Sequence, residues 1–240
     1  MIRIAVVGAR GRMGRTVVQL AGEQGIDVAL ALDAGERMES LAGSGAEVVI
    51  DFSSPSATME LADVASRAGI AIVSGTTGLT DAALAALDRA STKVAVAWEP
   101  NMSVGVHVLG ALVAQAIAML GPDFDVEIVE AHHKMKVDAP SGTALRLAEL
   151  ARDARGGARV VHGREGKPGA RGATEIGVHA VRGGDVVGDH TVMLFGTGER
   201  IELTHRASSR ELFASGALRV ARWIVGKPAG RYGMDDVLRT

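Results

Sequence analysis

The 240 residues carry 26 Lys and Arg against 28 Asp and Glu, a net charge of −2, and 47% of them are hydrophobic. That balance excludes a disordered chain and argues against a nucleic-acid binder, which shows an extended basic excess. The absence of cysteine removes disulfides, thiolate metal sites and cysteine nucleophiles, and permits a cytoplasmic location. Thirty-one glycines and 3% aromatics predict many tight turns around an aliphatic core, as in α/β proteins. The N-terminus runs into a strand without a basic and apolar leader, so no signal peptide is expected.

Ile2 to Val7 reads as a buried strand that ends at Gly8-Ala9-Arg10-Gly11-Arg12-Met13-Gly14. Thr16, Val17 and Leu20 then recur at helical spacing. In this strand, turn and helix, Gly8 allows the tight turn, Gly11 lets a pyrophosphate approach the backbone, and the helix N-terminus offers unpaired N–H groups. The spacing is G-x-x-G-x-x-G, which a packing turn also satisfies. A second strand, Val28 to Leu32, ends in Asp33, where a dinucleotide site wants a carboxylate for the adenosine ribose; alone, Asp33 can equally open a turn. Its charge repels a 2′-phosphate and favours NADH, whereas Arg10 and Arg12 can neutralise one, so the residues leave coenzyme preference open.

From Gly35 to Gly45 the chain is too short and glycine-rich for a full crossover helix. Val48 to Phe52 is a third strand, Ser53-Ser54-Pro55 a helix start, Gly69 its stop, and Ile70 to Val73 a fourth strand. Gly75-Thr76-Thr77-Gly78 leaves the C-terminal end of that strand, where a loop faces a ligand crevice or simply turns. Asp81 to Ser91 reads as a helix and Val94 to Ala97 as a fifth strand, followed by Trp98-Glu99-Pro100-Asn101-Met102-Ser103. The alternation predicts a doubly wound parallel sheet. Val104 to Leu120 is apolar but shorter than a bilayer requires and carries His107 and Gln115, so a buried helix is expected.

Beyond Gly121-Pro122 the pattern changes to strands joined by short turns: Val126 to His133, Glu175 to Arg182, Thr191 to Phe195 and Ile201 to His205. This predicts a second, α+β domain with a mixed or antiparallel sheet. One face of such a sheet needs water or a partner, and an oligomer packed sheet on sheet is expected. Ser208 or Ser209 opens a last helix whose Ala217, Leu218, Val220 and Ile224 need an apolar surface in the first domain. The domains are therefore drawn as 1–103 with 217–240, and 104–216. Between residues 130 and 182 there are ten Lys or Arg against six Asp or Glu; Arg159, Arg164, Lys167 and Arg171 read as a solvated face or as steering for a small dianion.

Chemistry is densest from Glu130 to Thr143. Adjacent His132 and His133 point to opposite sides of a strand and cannot share one metal, so no metal is expected. Lys136 supplies a point charge, Ser141-Gly142-Thr143 a helix start with N–H and hydroxyl donors, and an imidazole suits proton transfer near neutral pH.

The run EAHHKMKVDAPSGTA closely resembles the signature of the 4-hydroxy-tetrahydrodipicolinate reductase family, historically dihydrodipicolinate reductase. GARGRMG, DFSSP, SGTTG, PNMSVGV, HAVRGGDVVGDHTV, GERIELTHRASSR and YGMDDVL resemble its segments in the same order. The resemblance implies a Rossmann-like domain and a substrate and oligomerisation domain, typically in a homotetramer, serving lysine and diaminopimelate biosynthesis. It implies hydride delivery from NADH or NADPH to a cyclic unsaturated imine dicarboxylate, with water loss from the 4-hydroxy substrate. His132 would be the general acid/base and Lys136 a proton donor that also contacts substrate. His133, Ser141, Gly142 and Thr143 would bind substrate. Gly8, Ala9, Arg10, Gly11, Arg12, Met13, Asp33, Gly75, Thr76, Thr77, Glu99, Pro100, Asn101 and Met102 would line the cofactor. Glu99 stands where the family often has a small residue, and Ala34 where some members carry arginine after the ribose carboxylate, which favours NADH slightly. Another small-acid dehydrogenase, or a non-catalytic dinucleotide sensor, shares the first-domain features but needs no paired histidines and lysine beside a helix start.

Overall fold

A computed structural model describes residues 1–239. The described chain divides into two compact units, residues 1–104 with 210–239, and residues 105–209.

The first unit is a parallel six-stranded sheet. Its strands are β1 (Arg3–Val7), β2 (Asp27–Leu32), β3 (Val48–Asp51), β4 (Ala71–Ser74), β5 (Ala95–Trp98) and β11 (Gly230–Tyr232), in the spatial order β11-β5-β4-β3-β1-β2. Strand parity sorts the core. Ile4, Val6, Val48, Ile50 and Val73 face one layer with helices α1 (Arg12–Glu23) and α6 (Glu211–Ile224). Ala5, Val7, Val49, Ile72 and Val96 face the other, with α2 (Pro55–Ala68) and α3 (Asp81–Ser91). Both faces are covered, which is why these strands are continuous apolar runs. Ser54 caps α2 by accepting from Ala57 N–H, with Pro55 in the first turn, and Gly69 closes it in the left-handed region. The abbreviated crossover expected after Gly35 is one 3-10 segment, Met38–Gly43.

The second unit holds a five-stranded mixed sheet. Strands β6 (Asp125–His132), β7 (Arg159–His162), β8 (Glu175–Arg182), β9 (Gly188–Gly196) and β10 (Glu199–Ala207) take the order β10-β9-β6-β8-β7. The pairs β6/β8 and β7/β8 are parallel, whereas β6/β9 and β9/β10 are antiparallel. Val126, Ile128, Ile176, Val178, Val192 and Leu194 form its core with α4 (Val104–Leu120) and α5 (Gly142–Ala154). The opposite face carries half-buried Val129, Thr191 and Met193.

Three expectations are corrected here. Helix α4 is not buried all round: Leu109, Gly110, Val113 and Ile117 are buried, but Val108, Leu112 and Met119 are exposed. With the 3-10 turn that follows, residues 104–123 also reach the length and apolar composition of a membrane span, because the helix is apolar around its whole circumference and only one stripe meets the core. Strand β7 (Arg159–His162) runs through part of the segment read as a solvated or steering face, where no strand is expected. The arginines there are not a free steering surface: Arg164 donates to both Glu127 oxygens at 2.9 and 2.8 Å, and Arg171 bonds Glu127 at 3.0 Å and Asp125 at 2.6 Å. Arg159 bonds Glu175 at 2.5 Å.

Candidate active site

The glycine turn follows β1 and enters α1. Gly8 sits at φ +80°, and a Cβ there would lie 2.3 Å from the Phe52 carbonyl oxygen. A Cβ on Gly14 would lie 2.1 Å from the Gly8 carbonyl, so the helix and the turn meet backbone to backbone. Gly8 and Ala9 N–H groups donate to Leu32 O at 2.9 and 3.0 Å, which ties the turn to the end of β2. Gly11 is the helix N-cap, and Arg12 and Met13 form the first turn.

Asp33, just past β2, accepts from Arg10 N–H at 2.5 Å and from Ala34 N–H at 2.8 Å. Those backbone donors, Ala34 first, then Arg10, hold its carboxyl below the usual range. Glu36 stands beside it, accepting from Asp33 N–H at 2.7 Å and from the Arg10 guanidinium at 2.9 Å. Ala9, Arg10, Arg15, Val18, Asp33 and Glu36 line a cleft of about 470 Å³, within the range of small-ligand sites. A bare-backbone turn, a helix N-terminus and an ionised carboxylate at the end of the next strand form the donor and acceptor set that a dinucleotide requires.

Gly75, Thr76 and Thr77 leave β4. The Thr76 hydroxyl is buried, donating to Asp51 at 3.0 Å and accepting from Ser53 N–H at 2.9 Å. Asp51 also accepts from Thr58 and Ser74, each at 2.7 Å, and from Ser53. This buried carboxylate fastens the loops after β3 and β4, a role the sequence reading missed. Glu99 accepts from Met234 N–H at 2.8 Å, at the start of the short helix α7 (Met234–Leu238). Pro100 and Asn101 follow it, and Met102 is 1% exposed in the core. Of the expected cofactor residues, Thr76 and Met102 therefore turn their side chains inward.

In the second unit, β6 delivers Glu130 and His132 to one side of the sheet, two residues apart, as strand parity requires. Glu130 is fully buried and its carboxylate meets four donors. His132 Nδ1 lies 2.6 Å away, Arg182 approaches with two nitrogens at 2.7 and 2.8 Å, and Ser141 N–H donates at 3.0 Å. Burial pushes the Glu130 carboxyl up, but Arg182, His132 and Ser141 together outweigh it and hold it below the usual range. His190 of β9 stands across from Glu130 in the ladder. Its ring meets that of His132 edge to face at 5.2 Å, and its Nε2 is 3.1 Å from Ser141 Oγ. Burial first, then His132, pushes the His190 pKa down to about 4, so it is neutral at pH 7.

His133 is half-buried, and its N–H donates to Val186 O at 2.8 Å. Lys136 Nζ contacts Asp138 at 2.8 Å, and that hydrogen bond holds the Asp138 carboxyl below its usual range. Ser141 is buried, and its hydroxyl caps α5 by accepting from Ala144 N–H at 3.2 Å. Its side chain is occupied in the fold rather than presented outward, leaving exposed Gly142 and half-buried Thr143 on the outer side of the first turn. Sequence reasoning assigned no role to Glu130, Arg182 or His190; the Glu-x-His spacing on a strand was the available signal.

Residues 2–102 match the family described as Dihydrodipicolinate reductase, N-terminus, and residues 105–238 match Dihydrodipicolinate reductase, C-terminus. The 4-hydroxy-tetrahydrodipicolinate reductase of Myxococcus xanthus is 45% identical, with 99% of this chain and 98% of that protein covered. The protein of the same name from an Anaeromyxobacter species is 47% identical at the same coverage. Among solved structures, a dipicolinate-bound dihydrodipicolinate reductase from Paenisporosarcina sp. TG-14 aligns with a TM-score of 0.77 and 26% identity, covering 97% of both chains. Two family matches that span nearly the whole sequence, together with these full-length relatives, establish that the chain belongs to the dihydrodipicolinate reductase family.

Proposed function

We infer that the chain is an NAD(P)H-dependent oxidoreductase that reduces 4-hydroxy-tetrahydrodipicolinate to tetrahydrodipicolinate in lysine and diaminopimelate biosynthesis. The observation that carries this reading is the buried imidazole of His132, joined through Glu130 to the Ser141 N–H at the start of α5, in a chain 45% identical along its length to a reductase of that name. The Gly8 to Met13 turn, Asp33, Gly75 to Thr77 and Glu99 to Met102 would hold the dinucleotide, which would supply the hydride. Gly142 and Thr143, at the positive end of α5, and His133 hold the substrate carboxylates. Lys136 neutralises a carboxylate and lowers the cost of electron density building in the ring, and His132 transfers the proton. The dipicolinate in the Paenisporosarcina structure is a flat cyclic dicarboxylate of the same class.

NADH is the preferred coenzyme on this reading. Asp33 and Glu36 place two carboxylates at the cleft, and Glu36 already engages the Arg10 guanidinium, which would otherwise be available to a 2′-phosphate. We place the protein in the cytoplasm as a homotetramer assembled through the outer face of the second sheet, where Val129, Thr191 and Met193 are half-buried in the single chain. Light scattering on the purified protein that returned a monomer would refute the assembly.

The test of the activity is a coupled assay with freshly generated substrate. His132→Gln is expected to lower kcat by about 10²–10⁴ with the fold intact, and Lys136→Ala to do comparable damage. Near-normal turnover in both would overturn the assignment.

A further inference from the structure

The geometry points to Glu130, clamped by Arg182, as the positioning residue of the His132 proton-transfer group and of the α5 N-terminus, so that one buried carboxylate sets both. This rests on the reading of His132 given above and deepens it. Glu130 is fully buried, and its four contacts leave it no room to rotate: two nitrogens of Arg182, His132 Nδ1 and Ser141 N–H. An ionised carboxylate only accepts, so Nδ1 of His132 must carry the hydrogen in that contact. That fixes the tautomer and leaves Nε2 as the atom that takes and gives the reaction's proton.

Arg182 keeps the carboxylate in place. Besides its two bonds to Glu130, it donates to Val181 O and Asp138 O, each at 2.7 Å. It thereby anchors the loop that carries Lys136, whose Nζ is held by the Asp138 side chain. The groups facing the carboxylate come from every neighbouring element: Arg182 from β8, His132 on β6 itself, His190 from β9 and the Ser141 N–H from α5. His190 is neutral at pH 7, so it adds no competing charge, and its Nε2 bonds the Ser141 hydroxyl that caps α5. Proton-transfer group and anion-binding helix start are thus registered to each other through atoms of one side chain.

The test is steady-state NADH oxidation with freshly generated 4-hydroxy-tetrahydrodipicolinate, with folding checked by circular dichroism and thermal melting. Glu130→Gln is expected to lower kcat about 10–100-fold, as does the loss of a group that orients a metal-bound imidazole, while KM for NADH changes less than about threefold. Because the effect of Glu130 on proton transfer runs through His132, adding Glu130→Gln to His132→Gln should lower kcat no further, and the part that runs through the α5 start should appear in KM for the substrate. The ¹⁵N signals of the His132 ring should report the Nδ1–H tautomer in the parent enzyme and a mixture in Glu130→Gln. If Glu130→Gln fails to fold, the pair Glu130→Gln with Arg182→Met, which leaves no unpaired buried charge, carries the same expectations. Turnover within threefold of the parent, or a double variant slowed by the full product of the two single effects, would overturn the inference. Failure of His132→Gln to slow turnover would instead overturn the reading on which it rests.

Discussion

Gly188→Ala tests the site from the side opposite Glu130. A Cβ at this position would lie 3.0 Å from His132 Nε2, 3.4 Å from its Cδ2 and 3.7 Å from His190 Cε1. Ordinary carbon to nitrogen contact needs about 0.4 Å more. The ring has little freedom to yield, because its other nitrogen already lies 2.6 Å from Glu130, itself locked by Arg182. The methyl therefore forces the ring to rotate or β9 to shift, an overpacking cost of about 1–3 kcal/mol in stability. A displacement of a few tenths of an ångström at a reacting nitrogen is expected to lower kcat about tenfold, roughly 1.4 kcal/mol in the barrier, and leave KM for NADH unchanged. Calorimetry or thermal melting reads the first effect and initial rates of NADH oxidation read the second. A Gly188→Ala protein with parental Tm and kcat within twofold would refute the placement of His132 Nε2 against the β9 backbone.

Glu36→Gln should narrow the preference for NADH over NADPH about fivefold in KM ratio, the ~1 kcal/mol that one exposed charge contributes near a 2′-phosphate; an unchanged ratio would remove Glu36 from coenzyme selection. At Glu127, burial raises the carboxyl pKa, but Arg164, His179 and Arg171 outweigh it and bring it from 4.5 to about 2. A depressed acid stabilises the fold above its unfolded value and loses that contribution as pH falls toward the folded one. Glu127→Gln should therefore cost up to ~3 kcal/mol at pH 7, with the gap to the parent closing from about pH 4.5 downward. Melting curves showing the same gap at pH 7 and pH 3 would contradict this.

The first unit was largely legible because both faces of its sheet are covered, so β1, β3, β4 and β5 are unbroken apolar runs separated by glycine stops. Strand β11 was not read: Gly230–Tyr232 is three residues long and becomes a strand only by pairing with β5. Strand β7 escaped because Arg159 and His162 at its ends are exposed on a sheet edge. Asp125 and Glu127 lie just before the basic run of residues 130 to 182 and hold Arg171 and Arg164, a pairing that counting charge along one segment does not reveal. At the site, His132, Lys136 and the α5 start were visible as residue types in one run. His190 was not, since it reaches Glu130 through antiparallel register, which no local spacing reveals. Ser141 was read as an outward donor because a Ser-Gly-Thr helix start looks alike whether its hydroxyl caps the helix or meets a ligand.

The return of α6 and β11 to the first unit has a consequence for synthesis. Residues 105–209 are contiguous, so on the ribosome the middle unit can close its core while the first sheet still lacks Leu218, Val220 and Ile224 of α6, each at most 1% exposed in the finished fold. Burial of each contributes ~1.5–3 kcal/mol, and until it occurs that face of the sheet is covered by α1 alone and β5 is an open edge. The nascent first unit thus keeps apolar surface exposed for as long as translation of the middle unit lasts, and slowing translation after residue 209 would lengthen that exposure.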